Sequence, residues 1–183
     1  EWSLMATVTR SSSDPVSSAE MPVADLDRIS EVENRQERVA ELLENVSCSA
    51  LLLQKPENIA WFTSGFDASR AGSNDSTAAL LITRDARVVL TSNVDSAQVF
   101  DCQLPILGFQ LKERRWTESR SSLIEDVCRG RSVASDLPGP RLVDVGHRLS
   151  EVRLPLSPVE CGRLRELGRD LTHAVEATCH ALD

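Results

Sequence analysis

The side chains of this sequence best suited to ligate a metal ion or move a proton are its three histidines, His147, His173 and His180. His173 and His180 lie in a segment with helical periodicity, which separates them by about two turns, or roughly 10 Å, along one side of a helix. A zinc-type ion needs its ligands at about 2 Å, so this pair is too widely spaced to share one. We therefore interpret both residues as ordinary polar helix positions.

Motifs that position a nucleophile or a phosphate are absent from the sequence. The eight glycines never form a phosphate loop or a dinucleotide-binding fingerprint. There is no Gly-x-Ser-x-Gly elbow, although residue counts alone leave a Ser/His/Asp triad open. Neighbouring carboxylates such as Glu31 and Glu33 are typical of a solvated surface. The residues by themselves thus indicate a packed scaffold and predict no catalytic residue.

Composition narrows the class of protein. A length of 183 residues suggests one domain with room for a sizeable core. The formal net charge of −8 argues against nucleic acid as the main partner, because phosphate binding needs a basic surface. No apolar run approaches the roughly 20 residues of a membrane helix. The first residues also lack the pattern of a secretory signal, so we expect neither a membrane nor a nucleic-acid partner.

The five cysteines are odd in number and form no Cys-x-x-Cys pair. Cys48, Cys128 and Cys161 lie among apolar residues, where a reduced cysteine behaves as a small hydrophobic side chain. A disulfide framework is not expected in a chain of this size. These features predict free thiols and a cytoplasmic location.

Hydrophobic spacing predicts the elements that would position any site. Residues 1–30 are rich in Ser, Thr, Asp and Pro without periodicity, so we expect a flexible leader. An amphipathic pattern then predicts a helix over residues 31–46. Short apolar runs predict strands at residues 50–54, 78–83, 87–92, 106–111 and 132–135.

The order of these elements predicts the fold class. The strands at residues 78–83 and 87–92 are joined by a three-residue connection and should form a hairpin. Helices are predicted at residues 94–100 and 117–129. Strands that are apolar throughout, interleaved with amphipathic helices, favour an α/β fold with three layers and a mixed sheet covered by helices on both faces.

Residues 158–183 form the most regular segment. Ser157 can cap a helix, Pro158 suits its first position, and Glu160 completes a capping box. The apolar stripe that follows runs through Leu164, Leu167, Leu171, Ala174, Val175, Thr178 and Leu182. Because the pattern is still running at Asp183, we expect the natural protein to continue. We also expect this stripe to pair with a second copy of the chain.

Three segments carry a resemblance to a known family. PENIAWFTSGF (residues 56–66), followed by STAALLITRDARVVLT (residues 76–91), resembles the amino-terminal domain of the creatinase, prolidase and aminopeptidase P family. EVRLPLSPVECGRLREL (residues 151–167) is similar to the junction that follows this domain. The sequence departs from the family at Ser64, which separates Thr63 from Gly65, and at Leu156, where a Lys is usual.

The resemblance implies a domain organisation. A ribonuclease-H-like creatinase amino-terminal domain would occupy residues 31–157, and residues 158–183 would link it to a missing catalytic domain. That missing domain would carry two divalent metal ions (Mn, Co or Zn) on an Asp, Asp, His, Glu, Glu set. The present fragment would hold no cofactor or metal and would be inactive alone.

The resemblance also implies a function. The chain would be the non-catalytic amino-terminal domain of a Xaa-Pro metallopeptidase, contributing to dimerisation and substrate access. Its partners would be a second copy, as a homodimer, and proline-containing peptides in the full protein. Two alternatives stay open: a peptide- or protein-binding module of the same fold without catalysis, and a domain of a creatinase-like amidinohydrolase.

Four residues are candidates for lying near a substrate, because the corresponding region in the family lies near the active site across a dimer. Asp67 and Arg70 belong to the loop that would project. Trp61 and Phe62 would anchor the short helix before it. The alternative interpretation makes Trp61 and Phe62 core residues and Arg70 a solvated loop residue.

Overall fold

A computed structural model describes residues 25–70, 72–101 and 104–181 of the chain. Its helices are α1 (Leu26–Asn45), α2 (Pro56–Phe62), α3 (Ser96–Asp101), α4 (Arg120–Cys128), α5 (Gly146–Arg153) and α6 (Pro158–His180). Its strands are β1 (Ala50–Leu53), β2 (Ser69–Arg70), β3 (Ser73–Ser76), β4 (Ala78–Ile82), β5 (Arg87–Ser92), β6 (Phe109–Arg114), β7 (Val133–Ser135) and β8 (Leu142–Asp144). Most of the predicted leader, residues 1–24, lies outside the described residues, as do Cys102 and Leu182.

Six of these strands form a mixed sheet in the order β6-β5-β4-β1-β7-β8. Strand β4 pairs antiparallel with both β1 and β5, whereas the β1–β7, β7–β8 and β5–β6 pairs are parallel. Within this sheet β4 therefore runs opposite to the other five strands. The carboxyl ends of those five lie at one edge, which we call the carboxyl edge. The predicted hairpin of β4 and β5 is confirmed.

The central strands of the sheet are buried on both faces, as their apolar sequences predict. Successive side chains of a strand point to opposite faces, and all four residues of β1 are buried. Leu51 and Leu53 belong to the core beneath α1, α2 and α5. Leu52 belongs to a second core, together with Leu123 of α4. Helices thus cover both faces, which confirms the predicted three-layer α/β fold.

The first helix begins earlier than predicted. Asp25 caps α1 by accepting a hydrogen bond at its carboxylate from the backbone N–H of Arg28 (2.9 Å). Ile29 then packs against the larger core. The predicted helix start at residue 31 was therefore wrong, because one capping carboxylate and one apolar contact extend the helix into a stretch that shows little periodicity.

The predicted strand over residues 106–111 was also wrong in its first half. Residues Pro105–Leu107 form a 3-10 turn. Gly108 follows with φ +77°, a left-handed conformation that glycine adopts without steric cost. The strand β6 starts after it, at Phe109. The short elements β8 and α5 were not predicted.

A buried carboxylate holds the junction between β1 and α2. Asp136, which follows β7, is 2% exposed. Its carboxylate accepts hydrogen bonds from the backbone N–H groups of Gln54 (2.9 Å) and Lys55 (3.0 Å) and from the amide of Asn58 (2.8 Å). Arg153 of α5 donates a hydrogen bond to the side-chain carbonyl oxygen of Asn58. Asp136 thereby fixes the two residues between β1 and α2 and one side chain of the first turn of α2, whose cap residue Lys55 makes no side-chain hydrogen bond.

A second buried ionic cluster fixes the start of α6. Arg35 of α1 is 3% exposed and pairs with Glu31 (2.9 Å) and with Glu160 of α6 (2.8 Å). Burial lowers the pKa of Arg35, and the two carboxylates oppose that shift. Glu160 also accepts from the backbone N–H of Ser157, which confirms the predicted capping box.

Beyond this anchor, α6 leaves the domain. None of its residues is buried. Its apolar stripe is openly exposed, with Leu167 at 62% and Leu171 at 63%. Among the described residues, no helix has both the length and the apolar composition that crossing a membrane requires.

Replacing Asp136 by Ala should destabilise the fold. The change leaves three donors without an acceptor at a buried junction, so we expect the free energy of unfolding to fall by about 3 kcal/mol. Urea unfolding followed by circular dichroism measures the loss. Asp144→Ala is the matched control, because that exposed carboxylate accepts one hydrogen bond, from the backbone N–H of Gly146. Equal losses in both variants would contradict the role given to Asp136.

Replacing Arg35 by Ala should also cost stability, because it leaves Glu31 buried without its cation. Removing one partner of a buried ion pair typically costs about 3–5 kcal/mol. The control is Arg84→Ala, since the Arg84–Glu44 pair (3.2 Å) is exposed at both ends and exposed pairs contribute about 0–1 kcal/mol. The same urea experiment compares them, and a change below about 1 kcal/mol for Arg35→Ala would refute the assignment.

Candidate functional site

The two aromatic candidates lie inside the domain. Phe62 is fully buried and Trp61 is 8% exposed. The ring of Phe62 meets Phe109 edge to face, with centroids 6.1 Å apart, a favourable aromatic geometry. The guanidinium of Arg35 lies 5.7 Å from the Trp61 ring centroid, within cation–π range. Both aromatic residues therefore pack α2 against the sheet and against α1, which is the core role considered for them.

The turn after α2 is shaped by hydroxyl groups and a glycine. Thr63 donates through its hydroxyl to the carbonyl of Ile59 (2.8 Å) and accepts from the backbone N–H of Phe66 (3.0 Å). Ser64, the residue that departs from the family pattern, adopts a left-handed φ of +56°, and Gly65 follows at +120°. The extra residue is thus absorbed in the turn.

The hydroxyl of Ser64 also contacts the helix that leaves the domain. Arg163 of α6 donates to it at 3.2 Å and lies 3.8 Å from Asp25 at the start of α1. The departure from the family pattern therefore adds a polar contact between the turn after α2 and the first part of α6.

Asp67 organises the loop that follows. Its side chain is exposed and accepts hydrogen bonds from both the hydroxyl (2.6 Å) and the backbone N–H (2.8 Å) of Ser69. Both hydrogen bonds lower the pKa of Asp67, and the bond from the hydroxyl has the larger effect. In the described structure this carboxylate holds the entry to the β2–β3 hairpin, and contact with a substrate stays a prediction.

Arg70 reaches from the hairpin to the carboxyl edge of the sheet. Its guanidinium pairs with Asp95 at 3.0 Å, with the Arg70 side chain 54% exposed and the Asp95 side chain 17% exposed. Asp95 also accepts from the hydroxyl of Ser92 (2.8 Å). Arg70 is therefore an oriented charge at the mouth of a cavity, and its contact with a substrate also stays a prediction.

This cavity, which we call the carboxyl-edge cavity, has a volume of about 380 Å³. It lies where β5 and β6 end, between the β2–β3 hairpin and the first turn of α4. Its lining includes Arg70, Ser76, Thr91, Asp95, Arg114, Arg115, Trp116, Glu118, Ser119 and Arg120. Open α/β sheets bind ligands outside the carboxyl ends of their strands, and small-molecule pockets span about 300–1,000 Å³. Position and size make this cavity the candidate site.

Sequence reasoning found one member of this cavity, Arg70, and missed the others. A signal was present in the run KERRWTESR (residues 112–120), which concentrates basic side chains around one tryptophan. That run reads as the end of a strand and the start of a helix. Its convergence with Arg70 and Asp95 depends on the sheet order, which the sequence pattern does not give.

The described residues show no group of three or more His, Cys, Asp or Glu side chains that could hold a metal ion. Cys48, Cys128, Cys161 and Cys179 are free thiols. Burial raises the pKa of Cys128. The chemistry of the candidate site therefore comes from arginine, carboxylate, hydroxyl and indole groups.

Several solved structures resemble the described chain. Dipeptidase PepE from Mycobacterium ulcerans matches with a TM-score of 0.58 and 11% sequence identity, over 73% of this chain and 39% of that chain. The Xaa-Pro dipeptidase from Bacillus anthracis matches with a TM-score of 0.43 and 11% identity, over 57% of this chain and 26% of that chain. The creatinase/prolidase amino-terminal domain of an X-Pro dipeptidase from Streptococcus pyogenes matches with a TM-score of 0.42 and 12% identity, over 65% of this chain and 87% of that chain.

No family model and no curated protein matches this chain. The region it shares with the first two of these dipeptidase chains spans 39% and 26% of their lengths. At these identities the likeness concerns the fold alone. The mixed six-stranded sheet with helices on both faces confirms the predicted three-layer α/β fold, and matching structures such as the one from Streptococcus pyogenes are described as creatinase/prolidase amino-terminal domains.

Proposed function

We propose that this chain is the non-catalytic amino-terminal domain of a Xaa-Pro metallopeptidase of the aminopeptidase P or prolidase type. The observation that carries the proposal is the likeness of its fold to a protein described as a dipeptidase, at a TM-score of 0.58. On this proposal, the two divalent metal ions (Mn, Co or Zn) and their ligands belong to a separate catalytic domain. The chain itself supplies dimer contacts and limits access of proline-containing peptides.

The surface of α6 supports the proposed role in dimerisation. Leu164, Leu167, Leu171 and Val175 are 54–63% exposed and recur at spacings of three and four residues, the pattern of a helix that pairs with another helix. The helix has 23 residues, about 35 Å at 1.5 Å per residue. Burial of one leucine contributes about 1.5–3 kcal/mol. We infer that a second copy of the chain covers this stripe as a symmetric pair.

The anchoring of α6 supports the same role. Its first two turns are held by the partly buried Arg35–Glu160 pair (2.8 Å) and by the Arg163–Ser64 hydrogen bond (3.2 Å). A helix fixed at its start presents its stripe in one direction, which reduces the conformational entropy lost on pairing. A cytoplasmic location is part of the proposal, since Cys48, Cys128, Cys161 and Cys179 are unbridged and disulfides are rare in reducing compartments.

The proposed activity is tested on the full-length protein. The coding region that follows Asp183 should supply the Asp, Asp, His, Glu, Glu set, and the full-length protein with Mn²⁺ should release proline from a Xaa-Pro dipeptide. The 183-residue chain should not, because a two-metal site needs several convergent carboxylates and a histidine. Chelator-sensitive turnover by the chain alone would contradict the proposal.

The same experiment separates the alternatives. A downstream region without metal ligands would instead favour a peptide- or protein-binding module without catalysis. An intact ligand set with activity on a creatinase-type amidine substrate, and none on Xaa-Pro peptides, would favour an amidinohydrolase.

Self-association is tested by placing charged side chains in the apolar stripe of α6. Leu167→Glu with Leu171→Glu should shift the chain to monomer in sedimentation equilibrium, because pairing would bury two carboxylates without partners. His173→Glu with His180→Glu is the matched control, which adds the same two side chains at exposed positions outside the stripe and should leave pairing intact. A wild-type chain that stays monomeric at every concentration would refute pairing through α6.

A further inference from the structure

The lining of the carboxyl-edge cavity carries a charge opposite to that of the chain. It contains four arginines (Arg70, Arg114, Arg115 and Arg120) and two carboxylates, Asp95 and Glu118, a formal balance of +4 and −2. The whole chain has a formal net charge of −8. A concave patch of reversed sign attracts anions and raises their local concentration.

Most of these arginines already have protein partners. Arg70 pairs with Asp95 at 3.0 Å. Arg114 lies 3.7 Å from Glu118 and also pairs with Asp126. Arg120 donates to two backbone carbonyls, those of Ser76 at the end of β3 and of Ala78 at the start of β4. These pairings order the walls of the cavity and hold its carboxylates in place.

Arg115 differs from the other three. Its side chain is exposed, and among the described residues it makes no ion pair or side-chain hydrogen bond. It stands on a rigid turn, since Asn93 donates its backbone N–H to the carbonyl of Arg114 (2.8 Å) and accepts at its side chain from the N–H of Trp116 (2.8 Å). A planar guanidinium with five free donors on a fixed backbone suits bidentate binding of a carboxylate.

Trp116 adds an apolar surface beside this cation. The indole is 69% exposed, although it borders the cavity. A large exposed aromatic side chain next to a free arginine is typical of binding sites, where both residue types are enriched. The indole can cover an apolar group that is attached to the bound anion.

The carboxylates of the lining limit the class of anion. Asp95 and Glu118 would repel a ligand that carries several negative charges, such as a polyphosphate. They favour a ligand that combines one anionic group with N–H donors, because the half-exposed Glu118 can accept them. A short peptide with a free carboxyl terminus has this combination.

We propose that the carboxyl-edge cavity binds the free carboxylate of a short peptide, with Arg115 pairing the carboxylate and Trp116 covering the adjacent side chain. The inference rests on the proposed function for the choice of a peptide as ligand. It adds a residue-level site to the proposed role in substrate access.

Binding is tested on the 183-residue chain with the tripeptide Gly-Gly-Leu, by isothermal titration and by the change in tryptophan fluorescence, with the Trp116→Phe variant to identify the part that comes from Trp116. The peptide should bind saturably, and its carboxyl-terminal amide should bind at least about tenfold more weakly, because it cannot form the charge-assisted pair with Arg115. Inorganic phosphate, used as a competitor, should displace the peptide weakly. Saturable binding of phosphate without binding of the peptide would overturn the assignment, as would equal affinity for peptide and amide or no saturable binding at all.

Variants locate the site. Arg115→Gln should weaken binding of Gly-Gly-Leu by at least about tenfold, and Arg115→Lys should restore part of the loss. Arg131→Gln is the matched control, because Arg131 is an exposed arginine outside the cavity lining. Unchanged affinity in Arg115→Gln, with the circular dichroism spectrum of the wild type, would overturn the proposal.

The result is distinguishable from that of the proposed function. If the region after Asp183 lacks metal ligands, the peptidase assignment fails while binding of Gly-Gly-Leu to this chain is unaffected. If the full-length protein hydrolyses Xaa-Pro peptides and this chain shows no Arg115-dependent binding, the cavity assignment alone fails.

Discussion

The hydrogen bonds to Asp136 are the interaction on which the arrangement of this domain most depends. Strand β1 ends at Leu53, and the two N–H groups that follow it have no partner in the sheet. Asp136, 2% exposed, accepts both and also accepts from Asn58. An unsatisfied buried donor costs about 1–3 kcal/mol, so this carboxylate determines where β1 stops and where α2 starts. The position of Trp61 and Phe62, and of the loop after them, follows from that start.

The Arg35 cluster extends the same logic to the end of α2 and to α6. Arg35 donates to the backbone carbonyl of Trp61 while it pairs with Glu31 and Glu160. One buried cation thus satisfies groups from three helices. Buried ion pairs are weak sources of net stability, since desolvation offsets much of their Coulomb attraction. The contribution of this cluster is to fix the geometry. The pair between Arg35 and Glu160 holds the first turn of α6 against the domain.

The parts of this structure that the sequence predicts are those governed by local pattern. Buried strands such as β1 and β4 appear as unbroken apolar runs, and the capping box at Ser157 has its own residue signature. The misses have physical reasons. Residues 26–30 are helical because of one cap and one apolar contact, and β6 starts late because Gly108 takes a left-handed conformation. The candidate cavity depends on the Arg70–Asp95 pair and on the hydrogen bonds of Asn93 to the turn at Trp116. These residues are far apart in sequence, so no local pattern predicts the cavity.

The reversed direction of β4 explains why these polar and charged side chains meet in the candidate cavity. Because β4 is antiparallel to β1 and β5, its amino-terminal end lies at the carboxyl edge. The β2–β3 hairpin, which precedes β4 in the chain, therefore lies at that edge as well. Arg70 thereby meets Asp95, which follows β5. Arg120 of α4 reaches the carbonyls of Ser76, at the end of β3, and of Ala78, at the start of β4. In an all-parallel sheet these carbonyls would pair or face the opposite edge. A single antiparallel strand thus brings a loop of polar side chains to an edge where strand ends already converge, and it leaves Arg115 and Trp116 facing the space between them.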